Sequence, residues 1–232
     1  MLVTGFPSAV FGTNCYVVAT GTGTECLVVD PGIEVVEPLR DLLAEHRLRP
    51  AAVLLTHGHI DHVYSVTPVC GAHGVAAYVH ADDAYRLVDP LAGLDPGLVG
   101  MLEQEFGRAA TWTAPDDVRA LAAGDRLALA GLEVTVRHAP GHTEGSVMFG
   151  LPGVPEGVEL GSTLLAGDVL FAGSIGRTDL PGGDGAAMVR SLREQVLPLD
   201  DDTLVLPGHG PATTVGRERR TNPYLAQAAA GR

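Results

Sequence analysis

The stretch Thr56-His57-Gly58-His59-Ile60-Asp61-His62 places four side chains able to bind a metal within six residues, directly after the apolar run Ala51-Ala52-Val53-Leu54-Leu55. A short apolar run bounded by polar residues reads as a buried strand, so the cluster sits on the loop that this strand delivers. Imidazole and carboxylate suit zinc, iron or manganese. On a short loop neighbouring ligands turn toward different points, so four of them begin two adjacent sites rather than crowd one. A lone histidine carries little information; the full H-x-H-x-D-H cluster carries much more.

Upstream, Asn14 to Ala19 and Cys26 to Asp30 flank Thr20-Gly21-Thr22-Gly23-Thr24 and read as two strands joined by a glycine turn. Asp30-Pro31-Gly32 ends the second, and Val35, Leu39, Leu42 and Leu43 recur at helical spacing through His46. Downstream, the pattern predicts a short helix within 61–73, a strand over 75–79 and a helix over 81–88. Residues 89–123 are rich in Pro, Gly and Ala without a sustained period, and hold the sole Trp at 112. They read as a surface excursion that could act as a lid, not as a second domain. A hairpin over 126–138, strands over 146–150 and 163–166, a helix over 188–197, a strand over 203–206 and a helix interrupted near Asn222-Pro223 complete the chain.

The 232 residues suit one large domain, expected to span 1–232, and 46% hydrophobic content supplies its core. A net charge of -13 argues against a nucleic-acid partner, which needs a basic face. Cys15, Cys26 and Cys70 are too few and scattered for a disulfide framework, which fits a reduced cytoplasm. Neither a signal peptide nor a membrane helix is expected.

Three further candidate ligands follow strands: His142 in Pro140-Gly141-His142-Thr143-Glu144-Gly145-Ser146, Asp168 in Gly167-Asp168, and His209 in Pro207-Gly208-His209-Gly210. His57, His59 and His142 can hold one cation and leave a position open for water; Asp61, His62 and His209 can hold a second; Asp168 can place an oxygen on each. Two rounds of strands and helices, with ligands at strand ends, suggest paired sheets with helices outside. Asp30 reads either as a turn residue or as an outer partner of a ligand histidine. His46, His73, His80 and His138 read as structural or surface residues.

The THGHIDH, GHTEGS, GDVLF and PGHG segments, with the NCYVV and VVDPG strands, resemble the metallo-β-lactamase superfamily. The stretch from Gly167 through Arg177-Thr178-Asp179 to Gly183 is similar to its glyoxalase II branch, particularly the short bacterial members. The resemblance implies an αββα sandwich with the metals at one edge of the two sheets. It also implies two divalent ions, zinc first with iron and manganese as alternatives. Longer glyoxalase II enzymes continue into a helical C-terminal region that contacts glutathione, whereas this chain offers only Arg217 to Tyr224, with no separate helical domain. The thiol carrier is therefore open, and Arg177 is a candidate for meeting a substrate carboxylate or for pairing with a neighbouring acid.

The expected reaction is hydrolysis of a small-molecule thioester, a 2-hydroxyacyl thiol such as S-lactoylglutathione, by hydroxide held between the metals. Asp61 and Asp168 would hold or orient the nucleophile. The rivals are a persulfide dioxygenase with one iron on His57, His142 and Asp168, then a lactonase or β-lactamase, then a protein in which the metals only stabilise the fold.

Overall fold

The structure, a computed structural model, describes residues 1–91, 94, 96, 97, 99, 100, 104 and 113–231. Trp112 and much of the expected 89–123 excursion, with its suggested lid, lie outside the described residues. Two six-stranded sheets face each other. The first runs in the order β1 (Leu2–Pro7), β2 (Asn14–Ala19), β3 (Glu25–Val29), β4 (Arg49–Leu54), β5 (Ala77–His80), β6 (Val118–Leu121). The second runs in the reverse order of sequence: β12 (Thr213–Thr214), β11 (Thr203–Pro207), β10 (Ser162–Gly167), β9 (Val147–Leu151), β8 (Leu132–His138), β7 (Arg126–Leu129). Both are mixed: β1 to β3 pair antiparallel and β3 to β6 parallel, while β10 and β11 form the parallel pair of the second sheet.

The continuous apolar runs of β3, β4, β9 and β10 make sense once each strand is seen to be covered on both faces. Alternate residues go to different layers. Leu27, Val29, Ala52, Leu54, Phe149 and Leu165 pack between the sheets. Val28, Val53 and Leu55 turn outward beneath α1 (Val36–His46) and α3 (Val66–His73), which contribute Leu39, Leu43, Val69 and Cys70. On the far side Met148, Leu164 and Val205 meet Met188 of α4 (Gly185–Ser191), Val215 of α5 (Val215–Thr221) and Leu225 of α6 (Pro223–Ala229). The result is the αββα sandwich, with each fully buried aliphatic or aromatic side chain contributing about 1.5–3 kcal/mol.

Several local expectations need correcting. The helix expected within 61–73 is two, α2 (Ile60–Val63) and α3, and the segment Ala81–Leu87 winds as a 3-10 helix. The helix expected over 188–197 begins earlier, where Asp184 accepts hydrogen bonds from the Ala186 and Ala187 amides, and loosens into a π turn over Leu192–Val196. The late break is real: Asn222 caps α6 and Pro223 opens it. β1, β6 and β12 lacked a clear apolar alternation, and all three sit at sheet edges where one neighbour suffices. Among the described residues no helix is long and apolar enough to cross a membrane.

Phe149 is fully buried between the sheets. Phe149→Ala should cost about 3–5 kcal/mol, read as a lower denaturant midpoint at unchanged slope; a loss under about 1 kcal/mol would mean that this layer is not close-packed.

Candidate metal centre

All seven candidate ligands meet at one edge of the sandwich. His57 follows β4, His59 precedes α2, and Asp61 and His62 lie in the first turn of that helix. His142 lies between β8 and β9, Asp168 directly follows β10, and His209 follows β11. Both sheets thus contribute. Backbone hydrogen bonds sew this edge together, from the Val147 amide to the Thr56 carbonyl (2.8 Å) and from the Asn14 amide to the Gly208 carbonyl (2.7 Å).

Two donor sets are formed. His57 Nε2, His59 Nδ1 and His142 Nε2 stand 2.8, 3.1 and 3.2 Å apart. Beside them His62 Nε2 is 3.3 Å from His209 Nε2, and Asp61 Oδ2 is 3.5 Å from the first and 3.2 Å from the second. Asp168 lies between the sets: Oδ1 is 3.4 Å from His62 Nε2, and Oδ2 is 3.5 Å from His142 Nε2 and 3.6 Å from His209 Nε2. Nitrogens that share a cation at about 2.0–2.1 Å stand about 2.9–3.4 Å apart, depending on coordination geometry. The first set matches that spacing closely. Asp168 Oδ1 is buried with no hydrogen-bond partner, as suits an oxygen reserved for a cation. The donor set, imidazole and carboxylate without thiolate, fits divalent ions of borderline or hard character.

Around the donors a second layer fixes the rings. Asp30 resolves as an outer partner: it accepts from the Thr56 amide (2.8 Å) and hydroxyl (2.6 Å) and stands 3.0 Å from His62 Nδ1. It holds a left-handed backbone (φ 50) where its strand ends, a conformation Asp tolerates better than most residues. Thr56 Oγ1 is 3.1 Å from His57 Nδ1. His142 Nδ1 donates to the Arg177 carbonyl at 2.7 Å, and His209 Nδ1 to the Phe11 carbonyl at 3.1 Å. Thr13 donates its hydroxyl to Asp61 Oδ2 at 2.9 Å. Gly176 and Gly208 approach Asp168 so closely that a Cβ at either would collide with its carbonyl or carboxylate, which is why the chain needs glycine there.

The His57 and His142 loops are tied to each other by a buried acid that the sequence did not single out. Asp83 accepts from the Gly58 amide (2.7 Å), the Thr143 hydroxyl (2.7 Å) and the Gly145 amide (2.9 Å). Its neighbour Arg86, 1% exposed, donates to Glu144 and to the Pro181 carbonyl, each at 2.9 Å. In the sequence this is an ordinary polar pair three residues apart, and nothing local marks it as buried. Thr56 stands inside the ligand motif, but the sequence alone assigned it no role of its own.

The other histidines do not join the centre. His80 stacks on His138, rings 3.9 Å apart and 12° from parallel. Although Asp82 lies close enough to complete a three-donor group, parallel rings cannot aim their in-plane lone pairs at one cation. Arg177 reaches the rim, where its guanidinium binds Asp179 at 2.7 and 2.9 Å, both side chains exposed.

The two sets differ electrostatically. Burial and the neighbouring imidazoles hold His57 and His59 well below the usual histidine value, and burial also lowers His142. Burial likewise opposes charge on His62, but the carboxylates of Asp61, Asp168 and Asp30 outweigh it and push its value up to about 10. His209 is raised against its own burial by Asp61 and Asp168. Asp61 is lowered: burial works the other way, but His62, His209 and the Thr13 hydroxyl prevail.

The centre opens on a cleft of about 500 Å3 walled by Phe11, Ile60, Leu94, Phe171 and Leu180. Residues 9–209 match the metallo-beta-lactamase superfamily. The chain belongs to that superfamily. Among relatives with a functional name, hydroxyacylglutathione hydrolase GloC of Haemophilus influenzae is 33% identical over 94% of this chain and 95% of its own length. Two solved structures superpose along nearly the whole chain. BLEG-1 B3 metallo-beta-lactamase does so with a TM-score of 0.80 at 33% identity, covering 97% of this chain and 99% of its own. TTHA1623 in a di-iron-bound form gives 0.76 at 38%, covering 96% and 100%.

Two outcomes test this centre. Asp30→Ala should weaken metal binding about 10- to 100-fold, the usual cost of losing a partner behind a ligand; unchanged affinity by competition with a chelator would remove Asp30 from the site. Metal uptake should also be asymmetric in protons. At pH 7 the His57, His59 and His142 set, lowered throughout, is neutral, whereas His62 carries a proton that a cation must displace, and His209 is shifted in the same direction as His62. Affinity at the second set should therefore rise as pH rises from 6 to 8, by up to about tenfold per pH unit for each proton released, while the first stays nearly flat. Titration calorimetry in buffers of different ionisation enthalpy reads this directly, and equal proton release in both steps would contradict it.

Proposed function

We propose that this metallo-beta-lactamase-fold chain is a thioester hydrolase acting on a 2-hydroxyacyl thiol, such as S-lactoylglutathione or its analogue on another thiol. His57, His59 and His142 would hold one divalent cation and Asp61, His62 and His209 a second, with Asp168 touching both. The observation that carries the reading is Asp168, whose two oxygens lie between the donor sets at 3.4–3.6 Å from His62, His142 and His209, at the base of a mostly apolar cleft. The relationship to GloC supports the substrate class.

Bound cations would bring the pKa of a coordinated water to about 7 and polarise the acyl carbonyl. The chain's own residues do the rest. Thr13 pins the Asp61 carboxylate through Oδ2, which would orient it to accept a hydrogen bond from a water between the donor sets. Phe11, Ile60, Phe171 and Leu180 line the cleft; they exclude bulk water from the carbonyl and strengthen every polar contact beneath it. A thiolate departs readily, so no buried acid is needed opposite the nucleophile. The exposed Arg177–Asp179 pair is weakly held, and Arg177 can exchange Asp179 for a carboxylate on the thiol carrier at little cost.

The test uses freshly purified protein, with zinc, iron and manganese quantified and thioester cleavage measured on the same sample. Cleavage of S-lactoylglutathione or a simpler 2-hydroxyacyl thioester is expected, with no oxygen uptake on a persulfide. Asp168→Ala should lose metal and turnover together. Persulfide-dependent oxygen consumption or β-lactam opening without thioester cleavage would overturn the reading, as would a fully metallated and active Asp168→Ala variant.

A further inference from the structure

On the outer face of the second sheet lies a hollow of about 330 Å3 that shares no residue with the metal centre. Ser162 and Thr203 line it and begin β10 and β11, the strands whose other ends deliver Asp168 and His209. The length of a strand, roughly 15–20 Å at about 3.3 Å per residue, therefore separates the two sites. Strand register builds the hollow. Arg126 pairs with Thr135, Thr135 with Gly150, and Gly150 with Leu164, which makes one row across four strands. Side chains alternate, so Glu133 and Arg137 flank Thr135 on the same face. All six of these residues line the hollow.

Two features set it apart from ordinary surface. The first is Gly150, inside β9. Its φ is not left-handed, and a Cβ there would find Arg137 Nε at 3.7 Å and Thr135 atoms at 3.8 and 3.9 Å, ordinary contacts. Neither backbone nor packing demands glycine, and its effect is to leave the floor open, as where a ligand approaches a strand. The second is charge. Arg40, Arg86, Arg119, Arg177 and Arg219 each pair with a carboxylate. Among the described residues the Arg126 and Arg137 side chains make no hydrogen bond or ion pair, which is true also of Arg47, Arg49, Arg217 and Arg220; what is particular here is that two such guanidiniums line one hollow, even beside Glu133, in a chain of net charge -13.

We propose that this hollow is a second ligand site that takes a hydroxylated phosphomonoester of the sugar-phosphate class, its phosphate held between Arg126 and Arg137. Planar guanidinium forks match phosphate oxygens two at a time. The Glu133 carboxylate repels a bare anion from its side and accepts a hydroxyl of the ligand body, as do the Thr135 and Ser162 hydroxyls. The volume lies at the small end of the range for metabolite sites.

Calorimetry on the metal-loaded protein with ribose 5-phosphate, inorganic phosphate and ribose tests the proposal. Ribose 5-phosphate should bind, inorganic phosphate more weakly, and ribose not measurably, with affinity falling as salt rises. Arg126→Ala and Arg137→Ala should each weaken binding at least tenfold. Gly150→Val, which fills the floor, should abolish it while metal content and turnover stay as they were. Binding of neither phosphate, or binding that survives all three substitutions, would overturn the site; the latter would place the anion on the metals. Equal affinity for inorganic phosphate and ribose 5-phosphate would overturn the choice of a phosphomonoester.

Discussion

Three imidazole nitrogens converge at 2.8–3.2 Å in a buried pocket, the spacing that donors to one shared cation would take. Partners behind most of the rings fix their directions, while His59 Nε2 is buried with no hydrogen-bond partner. Thr56 stands behind His57, the Arg177 carbonyl behind His142, and the Phe11 carbonyl behind His209. Asp30 stands behind His62 and also supports Thr56, so one buried carboxylate steadies members of both donor sets. The sandwich that carries these rings is rigid in its turn, with a core that is apolar on both faces of its central strands.

Distance along the chain is overcome by a second device. The loops bearing His57 and His142 belong to different sheets, yet Asp83 receives hydrogen bonds from both, and Arg86 extends the tie to the segment after Arg177. A buried ion pair contributes little net stability once desolvation is counted. Its effect here is positional: it sets the spacing between the loops that carry candidate ligands of one donor set.

The sequence displayed the candidate ligands because their chemistry is local. Histidine and aspartate at the ends of apolar runs are legible one loop at a time, and the central strands are legible because burial on both faces makes them continuously apolar. The supporting layer is another matter. Asp83 and Arg86 look like surface residues until the fold buries them, and the Phe11 and Arg177 carbonyls have no signature at all, since every residue carries one. Asp30 lay between these extremes, suspected but matched by an ordinary turn. β1, β6 and β12 escaped because an edge strand, needing only one neighbour, shows a weaker pattern than a central one.

The donor sets draw on both sheets: β4 leads to His57 in one, while β8, β10 and β11 lead to His142, Asp168 and His209 in the other. A cation held there acts as a rivet through the two halves of the sandwich. Its binding free energy counts toward folding, because the unfolded chain offers no comparable site. Scarcity of metal would then shorten the lifetime of the molecule against proteolysis, and the abundance of the chain would follow the supply of the ion.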